Sequence, residues 1–276
     1  MKLPFEIDLK GKVAVITGAG GVICSELAAA LASCGCRVAL LDINEEAAKK
    51  AAERAGGECI AVKCDCLDKE SLEAAKKTVA EKLGRTDILI NGAGGNNPRA
   101  TTDNEYMTPE LTSGKDFFSL DASGLKFVFD LNITSAFLTT QVFAADMVEH
   151  GGNIINISSM NAYRPLTKIP AYSAAKAGVS NFTQWLAVHF APCGVRCNAI
   201  APGFFVTNQN RSLLFTDKGE PTPRTGKILA ATPMKRFGEV SELIGTLLWL
   251  VCDGASGFVT GITVPVDGGF SSYSGV

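Results

Sequence analysis

Short, nearly continuous apolar runs alternate with longer helix-like stretches along the whole chain. The apolar runs cover residues 13–17, 37–42, 60–65, 87–91, 153–158, 195–201 and 262–266. Runs of this length, rich in Val and Ile and without strict alternation, read as parallel strands covered on both faces. The helix-like stretches cover 23–33, 45–55, 69–83, 124–149, 171–191 and 240–252. Strand–helix alternation with right-handed crossovers predicts an α/β fold. The expected form is a single doubly wound Rossmann-type domain over 1–276, a seven-stranded parallel sheet with helices on both faces. Two segments break the alternation. Residues 96–121 are polar and rich in Thr, Asn and Gly, and residues 207–237 carry several Pro, Gly and basic residues. Loops this long in a compact domain tend to be lids or binding loops. The first is therefore read as a substrate-loop insertion and the second as a substrate lid.

Composition narrows the function classes. The 276 residues are 46% hydrophobic, and 26 Lys and Arg against 28 Asp and Glu leave a net charge of -2. A length of this kind can bury a sizeable core. Neither a basic excess nor a basic stripe is present, so no nucleic-acid partner is expected. Gly or charge interrupts each apolar run well before the ~18 residues of a membrane span, so no membrane partner is expected either. Residues 1–12 alternate charged and apolar positions and lack the apolar core of a signal peptide, which predicts a cytoplasmic protein.

Nine cysteines are present, and Cys34/Cys36 and Cys64/Cys66 are spaced C-x-C rather than C-x-x-C. Neither His150 nor His189 lies close in sequence to these pairs. Cytoplasmic thiols stay reduced, so the cysteines read as small packing residues and no metal is expected.

The first strand runs into Gly18-Ala19-Gly20-Gly21-Val22-Ile23-Cys24 and then a helix. Glycines let the backbone turn tightly and approach a pyrophosphate, whose charge is met by amides at a helix N-terminus. The following strand ends in Asp42, and the 29 steps from Val13 to Asp42 match a strand–helix–strand unit. A carboxylate there can accept bonds from ribose hydroxyls and repel a 2′-phosphate. No Lys or Arg sits in the turn or just after Asp42, so NAD is expected over NADP.

Tyr172 and Lys176 are four residues apart and share one helical face. A phenol ordinarily titrates near 10, too high for proton exchange at neutrality, and a nearby cation favours its phenolate. The pair follows a strand whose end carries Ser158 and Ser159.

Taken with Thr17-Gly18, Asp65, Asn91-Gly92-Ala93-Gly94, Asn132, Pro202-Gly203 and Asp267-Gly268-Gly269, the chain resembles the short-chain dehydrogenase/reductase family nearly end to end. The family's serine lies thirteen residues before the tyrosine, which selects Ser159 over Ser158. Its asparagine lies about forty before, at Asn132. The resemblance implies hydride transfer between NAD and a carbinol or carbonyl carbon, with Asn132, Ser159, Tyr172 and Lys176 as the catalytic group. Tyr172 would exchange the proton. Lys176 would lower its pKa and hold the nicotinamide ribose. Ser159 would bond the substrate oxygen, and Asn132 would anchor a relay water. The implied coenzyme contacts are Gly18, Gly20, Gly21, Val22, Ile23, Asp42, Asp65, Cys66, Asn91, Gly92, Ala93, Tyr172, Lys176, Pro202, Gly203 and Thr207. Asp65 would reach the adenine, and Thr207 the carboxamide and phosphate region. The family also implies a homotetramer, with contacts along 124–149, 171–191 and the last strand region.

Two departures stand out. Val22 and Cys24 replace the second and third glycines of the family turn, and 41 residues separate Asn91 from Asn132, more than in shorter members. Within the family, 94–102, 159–162, 166–170, Gln209-Asn210-Arg211 and the tail 269–276 are similar to the D-mannonate oxidoreductase (fructuronate reductase) branch. A sugar acid substrate follows, with Arg99, Ser159, Asn161, Lys168 and Arg211 as candidate contacts and Arg99 as the first choice for its carboxylate. The alternatives are a gluconate 5-dehydrogenase-like or 3-oxoacyl reductase-like enzyme, or a non-catalytic nucleotide-binding scaffold.

Overall fold

The apolar runs fold as seven strands: β1 (Val13–Thr17), β2 (Arg37–Asp42), β3 (Cys59–Lys63), β4 (Ile88–Asn91), β5 (Gly152–Ile157), β6 (Val195–Pro202) and β7 (Thr263–Val266). The computed structural model describes residues 7–111, 113–207 and 211–275. All strands pair parallel in one sheet of order β3-β2-β1-β4-β5-β6-β7. The chain winds outward from β1 to β3, then restarts at β4 on the other side of β1. The helices leaving β1 and β4 therefore part at the carboxyl ends of these strands, where open α/β sheets bind ligands.

Alternate residues of each central strand bury on opposite faces, which is why the strands show no polar–apolar alternation. On one face, Ala14, Ile16, Leu40 and Ile90 pack beneath α1 (Val22–Ser33), α2 (Glu45–Ala55) and α9 (Ile244–Val251). On the other, Val13, Val15, Leu41 and Leu89 pack against α3 (Lys69–Lys82), α5 (Ser135–Phe143) and α6 (Pro170–Phe190). Local signals set the helix starts. The Asn44 side chain accepts the Ala47 N–H at 3.1 Å, Asp68 accepts the Glu70 N–H at 3.1 Å, and Pro170 occupies the first turn of α6.

The expected helix over 124–149 is broken into α4 (Ala122–Phe129), a π turn (Asp130–Thr134), α5, and a 3-10 turn (Ala144–Met147). By length and composition the stretch Ala122–Met147 is apolar enough to cross a membrane, with a mean hydropathy of 1.2. Half of that window is buried, and Ala136, Val142, Phe143 and Met147 lie in the core beneath the sheet. The described residues of 207–237 contain two helices, α7 (Arg211–Leu214) and α8 (Pro223–Ala231). The insertion holds a 3-10 turn, Pro98–Ala100, and packs Ala100 against Val128, Ala171 and Ala175. Gln209, Asn210 and Val276 lie outside the described residues.

Candidate active site

A cleft of about 750 Å³ opens along the carboxyl ends of the strands at the switch point. At its floor β1 and β4 are tied together, because Thr17 Oγ1 accepts the Gly92 and Ala93 N–H groups at 3.1 and 3.2 Å. Gly18 has φ of +64°, and a Cβ there would sit 2.9 Å from Ala93 Cα, so the turn requires glycine on both counts. Gly21 caps α1, and no side chain bonds its first amides. Val22 and Ile23 line the cleft beside it, so this end of a twelve-residue helix presents amides and positive dipole to a ligand.

The missing third glycine of the turn has a structural answer. Cys24 is buried, and a Cβ on Gly92 would collide with its Sγ and with Thr17 O. Helix and strand still approach closely because the glycine stands on the strand side of the contact. Burial pushes the Cys24 thiol up to about 12, against a smaller lowering by Lys176, so it is an inert packing group.

Asp42 is aimed by backbone. Its Oδ2 accepts the Gly20 N–H at 2.9 Å and its Oδ1 the Asn44 N–H at 2.8 Å. Each oxygen retains a lone pair toward the cleft, where a ribose diol would donate. Asp65, Cys66, Pro202, Gly203 and Thr207 line the same cleft. β3 ends at Lys63, so Asp65 sits in the turn beyond it, where its carboxylate accepts the Leu67 N–H at 2.9 Å. Asn91 behaves differently from expectation. Its side-chain amide donates to Thr140 Oγ1 at 2.9 Å and Asn156 Oδ1 at 2.8 Å, inside the fold rather than in the cleft. A dinucleotide fits these residues: anion-binding amides stand at one helix start, a hydroxyl-accepting carboxylate one strand away, and the polar group described next at the far end.

The remaining residues converge on α6. Ser158 and Ser159 follow β5, and the fold separates their jobs. Ser158 Oγ donates to Lys176 O at 3.1 Å and lies 2.8 Å from Ser180 Oγ, pinning α6 to the sheet. Ser159 Oγ instead accepts the Asn161 N–H at 3.3 Å and stands beside the Tyr172 hydroxyl, where it favours the phenolate. Lys176, only 3% exposed, donates from Nζ to Ile157 O at 2.7 Å and lies 5.6 Å from the Tyr172 ring centroid. Asn132 sits in the π turn, and its Nδ2 donates to Val128 O at 2.7 Å and Gly95 O at 2.8 Å. Its Oδ1 accepts the Gly95 N–H at 3.1 Å. The side chain thus takes a helical carbonyl away from the backbone ladder and staples the β4 loop to the helix, which is the cause of the π turn.

Burial pushes the Tyr172 phenol up, partly offset by the Ser159 bond. The same burial lowers Lys176 to about 8, with Cys24 acting weakly in the opposite direction. The expected lowering of the phenol by Lys176 is therefore not what dominates in the protein alone. Desolvation does, Lys176 being almost wholly buried and Tyr172 partly so.

Of the sugar-acid candidates, only Ser159 lines the cleft. Arg99 is engaged elsewhere: its guanidinium donates to Ser123 Oγ at 2.9 Å and lies 3.8 Å from Asp121, clamping the insertion to the start of α4. Arg211 stacks over Phe215 at 5.6 Å within 207–237. Asn161 is 5% exposed, and its Oδ1 finds no partner among the described residues. Lys168 lines a neighbouring cavity. Sequence reasoning missed Gly94, where a Cβ would fall 2.7 Å from Asn132 Oδ1 and 3.0 Å from Lys176 Nζ. Its signal was a second glycine after the fourth strand. Phe204 was missed with less excuse, since it directly follows Pro202-Gly203.

Comparison with known proteins agrees with this geometry. A family model described as Enoyl-(Acyl carrier protein) reductase matches residues 18–271. An uncharacterized oxidoreductase of Haemophilus influenzae is 56% identical over 281 residues, covering 100% of this chain and 99% of its own. The uncharacterized oxidoreductase UxuB of Bacillus subtilis is 54% identical, covering 99% and 100%. A crystal structure of a "putative D-mannonate oxidoreductase" from Haemophilus influenzae with bound NAD superposes with a TM-score of 0.95 at 55% identity, covering all of both chains. With the glycine turn, the Asp42 carboxylate and the Ser159–Tyr172–Lys176 group placed on one sheet edge, the chain belongs to the short-chain dehydrogenase/reductase family of oxidoreductases.

Proposed function

We propose that this enzyme interconverts D-mannonate and D-fructuronate, using NAD(H) bound in the cleft. The observation that carries the oxidoreductase chemistry is the contact of Ser159 with the Tyr172 hydroxyl above a buried Lys176. The substrate reading is supported by the full-length likeness to the Haemophilus influenzae structure and by the polar, cation-bearing insertion and lid. NAD supplies the hydride acceptor or donor when bound. Gly18, Gly21, Val22 and Ile23 would hold its pyrophosphate, Asp42, aimed by the Gly20 N–H, its adenosine ribose, and Asp65 and Cys66 the adenine side. Gly92, Ala93, Pro202, Gly203 and Thr207 frame the nicotinamide end.

Tyr172 exchanges a proton with the substrate oxygen, and Ser159 holds that oxygen by a second hydrogen bond. Lys176 fixes the coenzyme ribose and adds positive charge where the phenolate forms. Asn132 ties the loop after β4 to the helix beside Lys176 through its two bonds to Gly95. The insertion (96–121) and the lid (207–237) cover the substrate and exclude water.

An NADH-oxidation screen over keto-uronic acids, keto-aldonic acids, neutral ketoses and 3-oxoacyl thioesters tests the reading. D-fructuronate is expected to turn over best, and a faster 3-oxoacyl thioester would overturn it. Wild type should also prefer NADH over NADPH by about a hundredfold or more, since a 2′-phosphate beside Asp42 places like charges together. Asp42→Ala should narrow that gap by about tenfold. Equal use of both coenzymes by wild type would remove Asp42 from its role.

The assembly proposed is a homotetramer. Phe182 is buried against α5, stacked on Phe137 at 3.9 Å, whereas Trp185 is 54% and Val188 78% exposed on the same helix. Light scattering at micromolar concentration should give the mass of four chains, and the mass of one chain would refute the assembly.

A further inference from the structure

A second cavity of about 370 Å³ adjoins the cleft, and Phe204 forms a wall of both. Three cations converge on it. Lys168 comes from the segment leading into α6, and Arg224 and Lys227 come from α8 of the lid. The single acid among its lining residues is Glu105 of the insertion, whose Oε1 lies 2.7 Å from Lys227 Nζ. Lys227 holds the Glu105 carboxyl below the usual carboxylate range, and Lys168 and Arg224 add to the same field. Among the described residues neither Lys168 nor Arg224 has an ion-pair partner, so the cavity carries a surplus of two positive charges.

That surplus is not explained by the elements that bear it. Arg224 stands in the first turn of α8, where the helix dipole disfavours a cation and where no acidic residue is present. Lys168 is half-buried and Arg224 and Lys227 are exposed at the cavity's rim, and like charges grouped at one cavity repel unless an anion joins them. The cluster is also well placed. Lys168 precedes Tyr172 by four residues, and its carbonyl accepts the Thr102 N–H at 2.9 Å, so the insertion fixes its position relative to the reacting hydroxyl.

We propose that this cavity is the carboxylate subsite, in which Lys168 and Arg224 bind the acid end of the substrate while its other end reaches Tyr172. Glu105 is the protein's own competitor for that charge, holding Lys227 in reserve and joining insertion to lid. The proposal rests on the sugar-acid reading above. It moves the carboxylate from Arg99, which Asn97, Ser123 and Asp121 already engage.

The test is calorimetric titration of the NADH-loaded enzyme with D-mannonate, D-mannitol and D-mannitol 1-phosphate, so that no turnover is needed. Wild type should bind D-mannonate about tenfold or more tighter than D-mannitol, the range of a charge-assisted contact. Lys168→Gln and Arg224→Gln should each remove about tenfold of that preference, with D-mannitol binding retained as proof of an intact fold. Glu105→Gln should tighten D-mannonate, whereas a purely structural clasp would weaken it. Variants that keep the wild-type preference overturn the subsite alone. Lys168-dependent binding of the phosphate ester above D-mannonate overturns the carboxylate assignment. A wild type that fails to distinguish D-mannonate from D-mannitol overturns the sugar-acid reading together with the subsite.

Discussion

Tyr172→Phe is expected to lower kcat by about a thousandfold or more while leaving NADH affinity nearly unchanged, within the range by which a positioned proton donor accelerates transfer. The ring stays, so the contacts of α6 with its neighbours are preserved. What disappears is one hydroxyl, its contact with Ser159, and the route by which a proton reaches the substrate oxygen. Losing the contact with Ser159 costs about 1 kcal/mol in stability, and the buried Ser159 Oγ keeps the Asn161 N–H that it already accepts. The loss should therefore be kinetic and not structural. Because proton transfer occurs only in the transition state, kcat and kcat/KM should fall together, with KM little changed. Stopped-flow NADH binding and steady-state kinetics on the same preparation separate the two effects. Residual turnover within tenfold of wild type would mean that another group moves the proton.

Much of this site was legible in the chain because its parts are short and local. A strand, a glycine turn and a helix start form a unit of consecutive residues, and an i, i+4 pair defines a helical face without knowledge of the rest. The central strands were equally legible, since burial on both faces leaves a continuous apolar run, whereas the edge strands β3 and β7 are only partly buried. What escaped depends on partners distant in sequence. The compensation of Cys24 by Gly92 needs two elements 68 residues apart, and neither residue alone announces it. The break at Asn132 likewise arises from its bonds to Gly95 across the cleft, where the apolar period of 124–149 predicts a continuous helix. Arg99 misleads for a related reason. Its chemistry suits a carboxylate, but Asp121 and Ser123, at the far end of the insertion, claim it first. Arg224 is an exposed charge in the structure too, and what the sequence hides is that α8 brings it to the same cavity as Lys168.

The second large effect concerns stability and activity together. Lys176→Met should abolish turnover and yet raise the melting temperature of the coenzyme-free protein by a few degrees near neutral pH. The ammonium is almost fully buried, and its neighbours supply one carbonyl but no carboxylate within ion-pair range among the described residues. Burial lowers its pKa from 10.5 to about 8. At roughly 1.4 kcal/mol for each pH unit between those values, keeping the charge buried costs about 3 kcal/mol. Methionine fills similar space without that cost, although Ile157 O loses its donor, which returns about 1 kcal/mol. The pH dependence fixes the cause. Below pH 8 the lysine is protonated in both the folded and unfolded chains, and the full cost is present. Between about 8 and 10.5 the folded chain releases a proton that the unfolded chain retains, so wild-type stability rises with pH. The advantage of Lys176→Met should therefore be largest below pH 8 and vanish by about pH 10.5. Thermal unfolding of both proteins across this range, without coenzyme, measures it. A variant less stable than wild type at pH 7 would show that the ammonium is held by more than one carbonyl, and that its charge stabilises the site it occupies.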